Sequence, residues 1–238
     1  MDHFTPVDTL NTSNFMREVI QPDLSSALHF VMPVTGFELN GQPVTPAGFD
    51  QEYGLYITID ATHPAGGSGV GGVFSSLNLT LWADPTHDDG TPGVSQSNDP
   101  SFSNPNGTAN DVVLAIGTMV SASVSQDPDG TKHADDVVRL TPTLDGTLLL
   151  HGSIKPGDLL EVKTDTPPAN YFQSMPAADG TSIATITDGT AQMTLDPQGT
   201  IQVPNLTHGN LLLADVPRFI HGRPGHHDRH GDDRPGSR

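Results

Sequence analysis

The chain has 238 residues, 28 aspartates and glutamates against 10 lysines and arginines, and a formal net charge of −18, with 34% apolar residues, 25 glycines and 21 prolines. That composition gives a thin core and many turns, and the length suits one large all-β domain or two small ones. The acidity excludes nucleic acid and anionic membrane as partners of the body, and the absence of cysteine excludes disulfides and thiolate metal sites.

Only four acidic residues are glutamates (Glu18, Glu38, Glu52, Glu161); the other 24 are aspartates, which bond their neighbouring backbone and favour turns and caps. The charge is also uneven along the chain: residues 1–217 hold 25 acidic and 5 basic groups, net −20, and residues 218–238 hold 5 arginines and 3 aspartates, net +2.

Residues 1–26 are polar and read as an N-terminal arm or edge segment, with a short helix over residues 14–20 that Pro22 stops. The first twenty residues have neither the basic start nor the apolar run of a signal peptide, and no stretch of the chain suits membrane insertion. Residues 27–32 and 34–39 are strand candidates on either side of Pro33. Residues 53–60 alternate cleanly, with Tyr53, Leu55, Ile57 and Ile59 on one side and Gly54, Tyr56 and Thr58 on the other. A glycine-rich connection over residues 65–72 leads to residues 73–84, which carry the single tryptophan, so these two strands are expected to pair as a hairpin. In the second of them, Trp82 faces away from Leu77, Leu79 and Leu81.

Residues 84–110 are almost without apolar side chains and read as one long loop. The strand pattern resumes over residues 111–125, and residues 137–140, 147–151 and 159–163 are further short strands. Residues 181–187 and 190–195 flank Asp188-Gly189 as a hairpin with a two-residue turn. Residues 200–203 and 211–214 are expected to close the sheet. Asp-Gly-Thr recurs at 89, 129, 145, 179 and 188 without a common period, and reads as a turn device. The expected organisation is an arm (1–26), an antiparallel β-sandwich of jelly-roll or immunoglobulin type (27–217) and a disordered tail rich in His and Arg (218–238).

Candidate sites follow from side-chain chemistry. Asp84, His87, Asp88 and Asp89 put carboxylates and an imidazole into one short segment, and Asp127, Asp129, Asp135 and Asp136, with His133 among them, make a second; hard oxygen donors at that density suit calcium. In both places an ordinary solvated turn explains the same residues. His226, His227 and His230, near His221, are imidazoles of the kind that bind a transition metal. Trp82, Tyr53 and Tyr56 are candidate stacking platforms for a sugar ring. Gly67-x-Gly69-x-x-Gly72 matches a dinucleotide fingerprint, but a strand follows it where a helix is required. No His-Glu-x-x-His, Gly-x-Ser-x-Gly, P-loop or thiol is present, and the reading is non-catalytic.

The runs YGLYITIDA (53–61), SSLNLTLWADP (75–85) and DVVLAIGTM (111–119) resemble, in order and character, a group of bacterial exported proteins linked to flocculation and carrying a PEP-CTERM sorting signal. The chain ends in its His and Arg tail where that group has Pro-Glu-Pro, an apolar span and a basic cluster. The resemblance implies an exported, matrix-associated protein of the extracellular space or cell surface. The expected function is therefore structural or adhesive, through self-association or binding to matrix polysaccharide; the alternatives are a calcium-assisted carbohydrate-binding module and a secreted hydrolase.

Overall fold

The computed structural model describes residues 3–65, 74–85, 111–196 and 199–206. In chain order these residues form β1 (Phe4–Val7), β2 (Thr9–Ile20), β3 (Ser26–Leu39), β4 (Gln42–Val44), β5 (Gly54–His63), β6 (Ser76–Asp84), β7 (Val112–Gln126), β8 (Lys132–Pro142), the short helix α1 (Leu144–Leu149), β9 (Leu159–Thr166), a 3-10 turn (Pro168–Asn170), β10 (Tyr171–Gln173), β11 (Ser182–Asp196) and β12 (Ile201–Pro204).

The strands are antiparallel throughout, as expected, but they do not form two facing sheets. Neighbours run β2, β3, β5, β6, β7, β8, β9 and then β11, and β11 also pairs with β2. Ala191 is the residue that shows closure most simply: it lies opposite Thr12 of β2 on one side and Thr164 of β9 on the other. Eight strands therefore close into a barrel, so that these eight protect one another's edges. A sandwich and a barrel require the same period-two pattern, so the strand sequences could not distinguish them.

The alternation fills the barrel. Leu55, Ile57, Ile59 and Ala61 of β5 and Leu77, Leu79, Leu81 and Ala83 of β6 are buried, and all belong to one core cluster. Each fully buried leucine or isoleucine contributes about 1.5–3 kcal/mol. The expected hairpin between these strands is present, with Tyr56 opposite Trp82 and Ile59 opposite Leu79. β3 runs through Pro33, which lies opposite Tyr56.

Three local expectations are corrected. Residues 14–20 form no helix: they continue β2, which is flanked by β3 and β11 and so is neither an arm nor an edge. Within it Leu10, Met16 and Glu18 are buried while Asn11 and Arg17 are half-exposed, which is strand spacing. Residues 147–151 are not a strand. α1 occupies most of that stretch, and its start is capped by Thr143, whose hydroxyl accepts from the Gly146 N–H at 2.9 Å.

Asp188-Gly189 is not a hairpin turn either. β11 passes straight through it with a register shift between Ile186 and Gly189, a bulge that places Gly189 inside the barrel beside Asn14 and Thr166. Partners far away in sequence satisfy this backbone, so the local turn signal loses. Asp-Gly-Thr does make turns at 129 and 179: Asp129 and Asp179 accept from the N–H of Thr131 and Thr181 at 2.9 and 3.0 Å, and Gly130 and Gly180 take φ of 93° and 84°. The copy at 145 lies in α1, and the copy at 89 lies outside the described residues.

The two ends of the barrel differ. Where β2 begins and β11 ends, β1 and β12 pair with each other as a separate two-stranded sheet, so residues 201–204 do not extend the barrel; residues 211–214 lie outside the described residues. Val7, Val203, Leu150 and Ile154 add to the core there. At the opposite end, where β2 finishes and β8 begins, the inward residues turn polar: Glu18, Ser26, His63, Thr166 and Ser182 are all buried.

Candidate functional site

Strand alternation separates the acidic residues that looked clustered in the sequence. Asp135 is exposed on the outer face, whereas Asp136 points inward and is 6% exposed. Burial, aided by the charge of Asp135 and opposed by a hydrogen bond from the Ser123 backbone, pushes the Asp136 carboxyl up to about 7. Asp129 is occupied with Thr131, whose backbone and side chain hold its carboxyl below the usual range. Asp127 meets the His133 Nε2 at 3.1 Å. Asp127, Asp129, Asp135 and Asp136 therefore do not converge on one point. Asp84 is buried at the end of β6, and His87, Asp88, Asp89, His221, His226, His227 and His230 lie outside the described residues. Among the described residues, no group of three or more His, Asp or Glu side chains is arranged to hold a metal ion.

The three aromatic candidates have separate fates. Tyr53 is wholly buried, its hydroxyl donating to the Pro204 carbonyl at 2.7 Å, so its ring offers no face to a ligand. Burial raises its phenol pKa. Tyr56 and Trp82 stack on the outer face as a cross-strand pair, with ring centroids 5.9 Å apart and planes 6° apart. Their polar atoms are engaged within the protein, the Trp82 indole N–H donating to Thr58 Oγ1 at 3.0 Å and the Tyr56 hydroxyl to Asp111 Oδ2 at 2.5 Å. Tyr56 is 4% exposed, so only Trp82, which is half-buried, retains accessible ring.

What the fold does assemble is polar and lies on the other side of the barrel. Outward residues of β2, β11, β9 and β8 fall into register as two rows. Asn11, Gln192, Lys163 and Asp135 make one; Ser13, Thr190, Asp165 and His133 make the other, which continues to Ser125 of β7. A cleft of about 650 Å³ runs along these rows, with Thr35 on its border. Within it the Gln192 amide donates to Asn11 Oδ1 at 3.2 Å, and the Asn11 amide donates to Glu38 Oε1 at 2.9 Å. Lys163 pairs with Glu161 at 3.2 Å.

His133 is the most constrained side chain of the rows. Its Nδ1 lies 2.5 Å from Asp165 Oδ1 and its Nε2 3.1 Å from Asp127 Oδ2. The hydrogen bond to Asp165, then that to Asp127, raises its pKa. Held between two carboxylates, the imidazole has neither nitrogen free to activate a nucleophile. The rows thus offer amides, hydroxyls, carboxylates and one ammonium for hydrogen bonding, on a strand spacing of about 4.8 Å.

Each strand announces its share in the sequence, as polar residues two apart: Asn11 and Ser13, His133 and Asp135, Lys163 and Asp165, Thr190 and Gln192. The pairing that brings them together is non-local and carries no short-range signal. Comparison with protein-family models, with curated proteins and with solved structures found no match to this chain.

Proposed function

We propose that this protein is a non-catalytic, matrix-associated barrel of the extracellular space or cell surface, and that it binds a neutral polysaccharide along the outer face of β2, β11, β9 and β8. The observation that carries this reading is the pair of polar rows in the 650 Å³ cleft. Rows of amide, hydroxyl, carboxylate and ammonium groups repeating from strand to strand suit a linear polyol, whose hydroxyls donate and accept at similar intervals. The net charge of −20 over residues 1–217 disfavours an anionic chain.

Affinity electrophoresis tests the reading, with gels cast with neutral or anionic polysaccharides. Neutral glycan should retard the native protein and leave the glycan intact; mobility unchanged in every gel, or saturable release of sugar, overturns the proposal. Two subsidiary proposals stand beside it. Exposed Ile116 on β7 and exposed Leu144 and Leu148 on the adjoining α1 favour self-association through that side. The calcium-assisted form rests on Asp84 and residues 86–90, and is tested by melting with calcium and then with EDTA.

Among the described residues no helix is long and apolar enough to cross a membrane.

A further inference from the structure

A second cavity lies inside the barrel at its polar end. It is a half-open pocket of about 60 Å³ bordered by Glu18, His63, Lys132 and Tyr171, with apolar walls that include Leu28, Phe30 and Phe74. The polar side chains here are held in place. Glu18 is 5% exposed and accepts from the Ser26 hydroxyl at 2.6 Å. The Lys132 ammonium sits 3.5 Å above the centre of the Tyr171 ring. His63 is also 5% exposed and packs against Phe74, with ring centroids 4.5 Å apart.

One atom in this arrangement is unmatched. Among the described residues, Nδ1 of His63 is buried without a hydrogen-bond partner, which is uncommon for a buried polar atom and calls for a donor or acceptor from elsewhere. The ring carrying it borders the cavity. The cavity therefore combines an apolar wall with one unsatisfied polar group.

We infer that this cavity binds a short, neutral amphiphile, such as a small alcohol, with its apolar end among Leu28, Phe30 and Phe74 and its hydroxyl on His63 Nδ1. Size and charge define the class. At about 10–15 Å³ per water-sized position, the space holds roughly four to six non-hydrogen atoms. Glu18 and Lys132 already supply one charge of each sign, so a charged ligand would bring an uncompensated charge into a largely apolar pocket. This pocket and the outer cleft share His133, Ala134 and Thr164 as lining, but its ligand contacts, at His63, Leu28, Phe30 and Phe74, are its own and do not depend on the role of the outer face.

The test is an NMR titration of the intact protein with 1-pentanol. Saturable shifts should be concentrated at Glu18, His63, Lys132 and Phe74, and should include the His63 Nδ1 resonance, while the amides of Gln192 and Lys163 stay unmoved. His63→Phe keeps an aromatic ring against Phe74 and removes the nitrogen, and should weaken binding about tenfold, the value of one hydrogen bond. The absence of saturation in the wild-type protein up to the solubility of the alcohol, or shifts that spread evenly over the surface, overturns the proposal. That result requires no variant to fold.

Discussion

Val162 of β9 and Met193 of β11 lie opposite one another across the seam of the barrel, and each is 1% exposed. The two residues stand 31 positions apart in the sequence, and their pairing turns an open sheet into a closed one. Met193→Ala should cost about 2–5 kcal/mol, as other large-to-small changes in a packed core do. Urea denaturation followed by circular dichroism measures this; a loss below about 1 kcal/mol would mean that the seam packs loosely.

Gly146 gives a prediction whose sign opposes helix propensity. Alanine is favoured over glycine inside a helix by about 1 kcal/mol. Here, however, a Cβ on Gly146 would stand 1.8 Å from the Leu114 carbonyl oxygen. Gly146→Ala should therefore destabilise the protein, by about 1–3 kcal/mol after the backbone shifts. A raised melting temperature would show that α1 does not press on β7.

Asp136 ties stability to pH. Its folded carboxyl is pushed from 3.8 to about 7, so between those values the folded state keeps a proton that the unfolded state releases. Stability then falls as pH rises through that window, and above pH 7 the ionised group is a full burden on the fold. Asp136→Asn should flatten this dependence and stabilise the protein at pH 8 by on the order of 2–4 kcal/mol. Urea midpoints at pH 5 and pH 8 provide the comparison.

His133 adds a smaller effect in the same direction. Its folded pKa is raised from 6.5 by Asp165 and Asp127, so its contribution is complete below pH 6.5 and is lost as pH climbs through the folded value. Since these groups lie in solvent, salt should weaken the His133 contribution and leave that of Asp136 intact. NMR titration of the imidazole at low and high salt separates the two; a pKa at or below 6.5 at low salt refutes the clasp.

The legible and illegible parts of this fold differ in range. β5 and β6 are near in sequence and alternate strongly, so their pairing and the outward face of Trp82 could be read from the residues. β11 could not, because its partners at Ser13 and Asp165 lie far from Thr190 and override the Asp-Gly signal beside it. The same distance hides the polar rows, whose members come from four strands and, at Ser125, a fifth. Asp135 and Asp136 are a different case: adjacent residues on a strand face opposite ways, so their separation was available once that stretch was recognised as β. The orphaned nitrogen of His63 depends on three-dimensional packing and has no sequence signature.

The outer rows carry the functional reading, and calorimetric titration of a neutral linear oligosaccharide against the wild type and the Asn11→Ala/Gln192→Ala variant tests them most directly. Both residues are outward-facing and their side chains bond to each other, so the variant should melt within a few degrees of the wild type and bind at least about tenfold more weakly. Equal binding by a folded variant, or none by the wild type, contradicts the assignment of glycan recognition to this face.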